Sequence, residues 1–524
     1  GVLAAYDPSF TLNESMVWKA VGTLRSRGPD GEAVWCSEDN QFYLAHTRLS
    51  INDPEFGYQP ISSEDGMVKA VVNGEIYNYK ELRSDLEKKG HIFFSRSDSE
   101  VVVHLYEEVG LELFSYLRGE FAIIVFDQKR NLLVAARDLF GIKPLVFSHH
   151  GSQILIASQA KAILQLGHPA SWCQKSLRAI ALFSYMPITG TLFDGINQLP
   201  PGRMLVCQQG KVDIKTYTYK AGYSINHGEI TQVSEAVSSC REVLEESVRL
   251  RTDIDSPYAC CLSGGIDSSS IFQLATNIKG SPPDCFSVSF PNSPYDELSA
   301  VESYLKQSGA KLHVIEVDDE ILLRALPEAV FAAGGLTVNG HLSAKYIMFE
   351  QVRAAGFKVI LTGEGADELF LGYPHFKQDL LASGDPSGLL KKESYESIRA
   401  NNILNAHLMV AKRSYNEKRD RLPSFLRAKY DAWESFRSVL GVAYESQPLL
   451  SVFDCDLKNS SEEEFFSLDA SVELWNKVAL SGYILRVLSD GTEMAHAVEG
   501  RPPFLDLELR DLVGKFSKDL LIRD

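Results

Sequence analysis

The chain has 524 residues, room for roughly two to four domains of ordinary size. Its 45% hydrophobic and 23% charged content is ordinary for a soluble globular enzyme with more than one core. A formal charge of −17 speaks against nucleic acid or an anionic membrane as a partner, because both reward clustered Lys and Arg.

In chain order, Gly1-Val2-Leu3-Ala4-Ala5-Tyr6-Asp7 reads as a first strand, without the basic start and longer apolar run of a signal peptide. Short apolar runs follow at Val68–Val72, Phe121–Phe126, Leu132–Ala136 and Ile154–Ala157. The middle pair reads as a hairpin turning over Asp127–Asn131. Helical spacing falls at Tyr79–Lys89 and Ser99–Val109, and two or three helices are expected in about the first 200 residues. Leu199-Pro200-Pro201-Gly202 is a stop signal. Two short polar strands then run through Tyr219, and the polar stretch Ala221–Gln232 reads as linker.

Beyond it the rhythm changes. Helices expected at Ala236–Arg249, Ser268–Thr276, Glu297–Ser308 and Ala344–Ala354 alternate with strands at Tyr258–Leu262, Cys285–Phe290, Lys311–Val317 and Lys358–Leu361. A βαβ rhythm predicts a parallel sheet covered on both faces. After residue 375 the pattern is mostly helical, with Ser460–Glu464 as a solvated helix start. The expected division is 1–208, a linker over 209–232, and 233–524.

Eight scattered cysteines, none in a CxxC pair, read as reduced thiols in a cytosolic protein. No run nears the ~18 apolar residues of a membrane span. No His/Cys cluster shows zinc spacing, and His341 reads as a loop residue.

The sharpest local signal is Leu262-Ser263-Gly264-Gly265-Ile266-Asp267-Ser268-Ser269, between an apolar strand and a helix. Glycines let backbone approach a phosphate, and a helix start offers unpaired N–H groups and a positive dipole end. An isolated glycine turn with a serine N-cap is the plainer alternative. Asp267 in an anion loop calls for a cation, and Mg²⁺ between it and the phosphates resolves the conflict. A second strand end carries Leu361-Thr362-Gly363-Glu364-Gly365-Ala366-Asp367-Glu368, three carboxylates that repel without a cation. The spacing is not that of the GxxxxGK[ST] loop, and its Lys is absent.

These two motifs, with Phe286–Phe290, Tyr295-Asp296-Glu297 and Met494–Asp506, resemble the synthetase domain of the asparagine synthetase family. The resemblance implies an ATP-pyrophosphatase (adenine nucleotide α-hydrolase-like) domain with a parallel sheet and a helical C-terminal part. It implies that Leu262, Val288 and Gly363 line an adenosine pocket, that Ser263, Gly264, Gly265, Ser268 and Thr362 help hold ATP, that Asp267 and Asp367 hold Mg²⁺, and that Glu364 is the acid–base or positioning residue beside an acyl-adenylate.

Four amino-terminal segments match the same family's glutaminase domain: Arg27–Gly31, Ala45–Ile51, Val72–Asn78 and Ser97–Glu100. They imply an αββα sandwich of the Ntn-hydrolase kind, a class II glutamine amidotransferase. Arg48 can grip a carboxylate bidentately, Asn73 and the Gly74 N–H can form an oxyanion hole, Asp98 can pair with an ammonium, and Glu75 can assist binding. The family's nucleophile is an N-terminal cysteine activated by its own α-amine. In the family the residue after that cysteine is a glycine, so the cysteine is expected immediately before Gly1. A branch without the nucleophile, like β-lactam synthetases, is the alternative.

The resemblance also implies a further helical tail, carrying an Arg-x-Lys motif, after residue 524. It departs in Phe331–Ala344, where family members often have an acidic, proline-containing segment that shapes the acceptor pocket, and at Gln159, where Glu is usual. The expected activity is ATP-dependent amide formation through an acyl-adenylate, with glutamine or ammonia as nitrogen source and aspartate as the leading acid. The alternatives are a relative or cyclase acting on another carboxylate, and an inactive binding scaffold. ATP and Mg²⁺ are the expected cofactors and the cytoplasm the expected location. The oligomeric state stays open, a homodimer included.

Overall fold

A computed structural model describes residues 1–220, 230–382 apart from 292, 295, 307 and 336, then 422–427, 429–430 and 467–522. Tyr295, Leu336, Cys455, Ser460–Glu464 and most of Ala221–Gln232 lie outside the described residues.

The first half is built on two six-stranded sheets. One holds β1 (Val2–Tyr6), β2 (Gly31–Cys36), β3 (Phe42–Arg48), β8 (Val146–His150), β9 (Gln153–Ala157) and β10 (Asn197–Gln198), in the order β10-β8-β9-β1-β3-β2. The other holds β4 (Ile61–Ser62), β5 (Val68–Ile76), β6 (Gly119–Asp127), β7 (Leu132–Arg137), β11 (Arg203–Gln208) and β12 (Lys211–Thr216), in the order β12-β11-β7-β6-β5-β4. All pairings are antiparallel.

The period of two along each strand divides the core into layers. Val2, Ala4, Val71, Ala122 and Ile124 meet between the sheets. Their neighbours Leu3 and Ala5 pack outward against Val17 and Ala20 of the helix Glu14–Gly22. Ala70 and Val72 face Val102 and Tyr106 of the helix Val101–Val109. Helix, sheet, sheet and helix therefore stack as an αββα sandwich.

The two polar strands expected through Tyr219 are β11 and β12, whose register runs from Lys211↔Gln208 to Thr216↔Arg203, so the pairing extends past residue 208. The half also carries five α-helices rather than two or three, adding Glu14–Gly22, Ala160–Gln165 and Gln174–Phe183. Glu14–Gly22 buries only Val17, Ala20 and Val21, a stripe too narrow to stand out in sequence.

The second half is a five-stranded parallel sheet: β13 (Tyr258–Cys261), β14 (Asp284–Ser289), β15 (Leu312–Glu316), β16 (Val359–Leu361) and β17 (Glu499–Arg501), ordered β15-β14-β13-β16-β17. The chain leaves β13 in one direction for β14 and β15, then returns to β16 on the other side. The carboxyl ends of β13 and β16 thus flank a topological switch point, where open α/β sheets bind ligands. Both loops singled out in sequence leave from these two ends.

The helix after β13 runs over Ile266–Lys279, so Asp267 lies in its first turn rather than in the loop. His341 opens the helix His341–Ala354 and is not a loop residue. Toward the C-terminus, Leu468–Trp475 continues into the wide-turned helix Asn476–Asp490 and the turn Gly491–Glu493.

Candidate functional site

Two candidate sites are present, one at the boundary between the halves and one at the switch point of the parallel sheet. The first is a polar cavity of about 60 Å³ lined by Gly1, Arg48, Asn73, Gly74, Glu75 and Asp98 from the sandwich, and by Met494 and Glu499 from the second half. Asn73, Gly74 and Glu75 sit near the end of β5, and Asp98 follows in a short 3₁₀ turn, Asp98–Glu100. Gly74 has φ +131, and a Cβ there would collide with the Glu120 carbonyl, so only glycine brings its N–H to this wall.

The Asn73 side-chain N–H₂ is buried without a partner. An orphaned donor of this kind costs about 1–3 kcal/mol, a cost an anionic oxygen in the cavity would relieve. Asp98 is buried and accepts the Ile76 N–H at 2.8 Å. Burial pushes its carboxyl up to about 6, against the pull of that hydrogen bond and of Arg501. Arg48 reaches the cavity wall, where its guanidinium donates to the carbonyls of Asp53 (2.5 Å) and Pro54 (3.1 Å) and lies over the Tyr58 ring. Those bonds fix the fork, and pre-organise it for a carboxylate.

Glu75 is held from both halves. One oxygen accepts from Asn52 at 2.9 Å, and the other pairs with Arg501 of β17 at 2.7 Å. Arg501 also pairs with Glu499 at 2.8 Å, and Lys143 lies between Glu120 (3.2 Å) and Glu499 (3.4 Å). Arg118 and Arg251 clasp Asp506 at 2.8 and 3.0 Å, and Arg27 forms a double hydrogen bond to Asp490 at 2.7 and 2.8 Å. All these groups are buried. The junction is a desolvated charge network, in which loss of one partner strands another.

The second site lies at the switch point. Ser263 and Gly264 are exposed, the Ser263 N–H donates to Ser268 Oγ at 3.2 Å, and Gly264 has φ +77. The first N–H groups of the helix Ile266–Lys279 have no intrahelical acceptors. Leu262 and Thr362 are buried at the strand ends, Val288 is half-buried on β14, and a Cβ on Gly363 would lie 3.3 Å from that of Asp267. Asp267 and Asp367 are half-buried. Burial raises the pKa of both, and the charge of Asp267 raises Asp367 further. Two facing carboxylates that repel each other are the donor set a hard divalent cation takes, so the residues fit Mg²⁺.

Residues 1–218 match a family described as a glutamine amidotransferase domain, and residues 239–524 one described as asparagine synthase. The chain belongs to the asparagine synthase family. It is a C–N bond-forming ligase that uses glutamine as amido donor. It is 29% identical to amidase chry2 of Gibberella zeae, over 95% of this chain and 78% of that protein. It is 29% identical to amidase chyE of Penicillium rubens, over 92% and 75%. To asparagine synthetase [glutamine-hydrolyzing] 1 of Bacillus subtilis it is again 29% identical, over 94% and 77%. The family uses ATP, glutamine and a carboxylate.

One residue of this asparagine synthase family member escaped sequence reasoning. Lys345, on the helix His341–Ala354, forms a short ion pair with Glu364 and reaches Ser489 Oγ at 3.4 Å. Burial opposes the Glu364 charge, but Lys345 overcomes it and holds the carboxyl below its usual range. Glu493 lies close enough to feel both charges, and burial pushes it up to about 8. The signal was absent because Lys345 precedes Glu364 by 19 residues, and the two meet only when the helix and the loop after β16 fold together.

Gln159 donates to the Ala332 carbonyl at 3.2 Å, a contact between the halves. Among the described residues seven cysteines are free, and no helix is long and apolar enough to cross a membrane.

Proposed function

We propose that this chain converts a carboxylic acid to its amide through an acyl-adenylate, with nitrogen from glutamine or ammonia and aspartate as the leading acid. The observation that carries it is the wall shared by the two sites. On consecutive residues, Asp490 pairs with Arg27 beside the amino-terminal cavity and Ser489 faces Lys345 beside Glu364. Nitrogen released on one side of the segment Ser489–Glu493 would pass to an electrophile on the other, and shielding it from bulk water is the physical reason for joining the two halves.

Arg48 and Asp98 would take the carboxylate and ammonium of glutamine, with Glu75 supporting the site through Asn52. Asn73 and the Gly74 N–H would stabilise the tetrahedral oxyanion. The nucleophilic cysteine, proposed on the residue before Gly1, would enter the cavity that Gly1 lines. Ser263, Gly264, Gly265, Ser268 and Thr362 would hold the ATP phosphates, and Leu262, Val288 and Gly363 the adenosine. Asp267 and Asp367 would hold Mg²⁺, which supplies charge neutralisation at the phosphates. Glu364, kept ionised by Lys345, would take the proton lost as ammonia adds to the adenylate. We place the reaction in the cytoplasm, in a monomer or a homodimer.

A second reading, a relative or cyclase acting on another carboxylate, is favoured by the acceptor-side segment Phe331–Ala344 and by Lys345, which sets an extra cation beside Glu364. Both readings are tested by pyrophosphate release from Mg-ATP with glutamine or ammonia, with and without aspartate and then a panel of carboxylates. Strict dependence on aspartate with asparagine as product supports the first reading. Indifference to aspartate overturns it, and silence with every acid points to an inactive scaffold.

A further inference from the structure

On the far side of the Asp98 turn, four side chains from three elements converge. Glu64 comes from the turn between β4 and β5, His91 from the segment after the helix Tyr79–Lys88, and His104 and Glu107 from the helix Val101–Val109. One ligand atom of each lies within 4.8 Å of all the others. His104 Nδ1 is 3.3 Å from Glu64 and 4.0 Å from Glu107, and His91 Nδ1 is 3.5 and 3.8 Å from the same carboxylates. Tetrahedral zinc with bonds of 2.0–2.1 Å separates its ligand atoms by about 3.3 Å, so a small inward movement closes the shell.

His104 is wholly buried, yet neither ring nitrogen has a hydrogen-bond partner. A buried imidazole left unsatisfied on both sides is costly in a stable core, and a cation on Nδ1 removes half of that cost. The outer nitrogens are also suitably placed. His91 Nε2 meets Glu108 at 3.2 Å, and His104 Nε2 faces Glu100 at 3.6 Å. Metal-bound histidines characteristically turn their second nitrogen to a carboxylate in this way, which fixes the tautomer. The two inner carboxylates neutralise a divalent charge.

We propose that Glu64, His91, His104 and Glu107 bind a divalent transition metal of the zinc class in a closed structural site. Four protein ligands leave no open position for chemistry. The metal ties the Glu64 turn and the His91 segment to the helix that follows Asp98, and so braces that turn from behind. The sequence shows no zinc spacing because the ligands come from separate elements.

The test uses full-length protein purified without chelator and dialysed against metal-free buffer. Metal content is measured by mass spectrometry, and the stripped protein is titrated with Zn²⁺ alone and with Co²⁺ as a spectroscopic probe. Expected are one equivalent of zinc per chain and the visible absorption band of tetrahedral Co²⁺. Both should be lost in the variant His91→Asn/Glu107→Gln. Glu108→Gln, which leaves all four ligands in place, should bind about 10–100-fold more weakly. Absence of stoichiometric uptake and of the Co²⁺ band in the wild type, or equal uptake by the double variant, overturns the proposal.

Discussion

The two candidate sites solve opposite problems. The amino-terminal cavity is polar and crowded with buried charge, and its wall draws residues from both halves. The nucleotide loop is exposed, made mostly of glycine and serine, and supplied by neighbouring strands of one sheet. A small zwitterion has few atoms, so fixed charges in a desolvated space must provide its affinity. A nucleotide carries its own charge and is met by backbone dipoles and a cation at a sheet edge. The difference teaches that the first site is only as stable as the junction, whereas the second depends on local geometry alone.

Removing the junction's central cation should expose that dependence most strongly. Arg501→Ala strands Glu75 and Glu499 and should cost about 3–5 kcal/mol in urea unfolding. If the loss were confined to below about 1 kcal/mol, the surface ion-pair range, the junction would not be the desolvated network described. Next in size, Asn73→Ala should lower kcat for glutamine hydrolysis by about 10²–10³-fold and leave ammonia-driven pyrophosphate release unchanged. Equal losses in both assays would mean that the cavity and the loop do not act separately.

Glu493 tests the wall between the sites. Its carboxyl, raised to about 8 by burial, binds a proton in the folded chain that the unfolded chain has lost above its ordinary value of 4.5. Stability should therefore fall as pH rises from 4.5 toward 8, by about 2 kcal/mol between pH 6 and 8. In Glu493→Gln, thermal denaturation should show a flatter profile over that window; an unchanged slope would assign the pH dependence elsewhere. The smallest effect concerns Asp98. Its charge forms as pH rises through about 6, so KM for glutamine should fall across that pH. In Asp98→Asn it should be higher and flat with pH, and a wild-type KM independent of pH from 5 to 7 would remove Asp98 as the ammonium partner.

Much of the second site was legible because its signals are local. Ser263–Ser268 and Gly363–Asp367 lie at strand ends, and short buried strands announce themselves by composition. The first site was legible as residue types but not as a structure. Asn73, Gly74 and Asp98 sit on the cavity wall, yet the partnership of Glu75 with Arg501 joins residues hundreds of positions apart. Strand β17 has only three residues, Glu499–Arg501, two of them charged. No periodicity marks such a strand, and its burial follows from neutralisation by Lys143 and Glu75 rather than from apolar content.

The segment Ser489–Glu493, from the end of the wide-turned helix through the turn after it, has a thermodynamic consequence of its own. Because one rigid element touches Arg27 on one side and Lys345 on the other, any preference of bound acid for one position of that segment is also felt at the glutamine cavity. Such coupling is reciprocal. If the acid substrate tightens glutamine binding by about tenfold, glutamine must tighten the acid by the same factor. Titration calorimetry of each ligand, with and without the other, would show the two factors matching, and the two halves would then be partners in a single binding equilibrium.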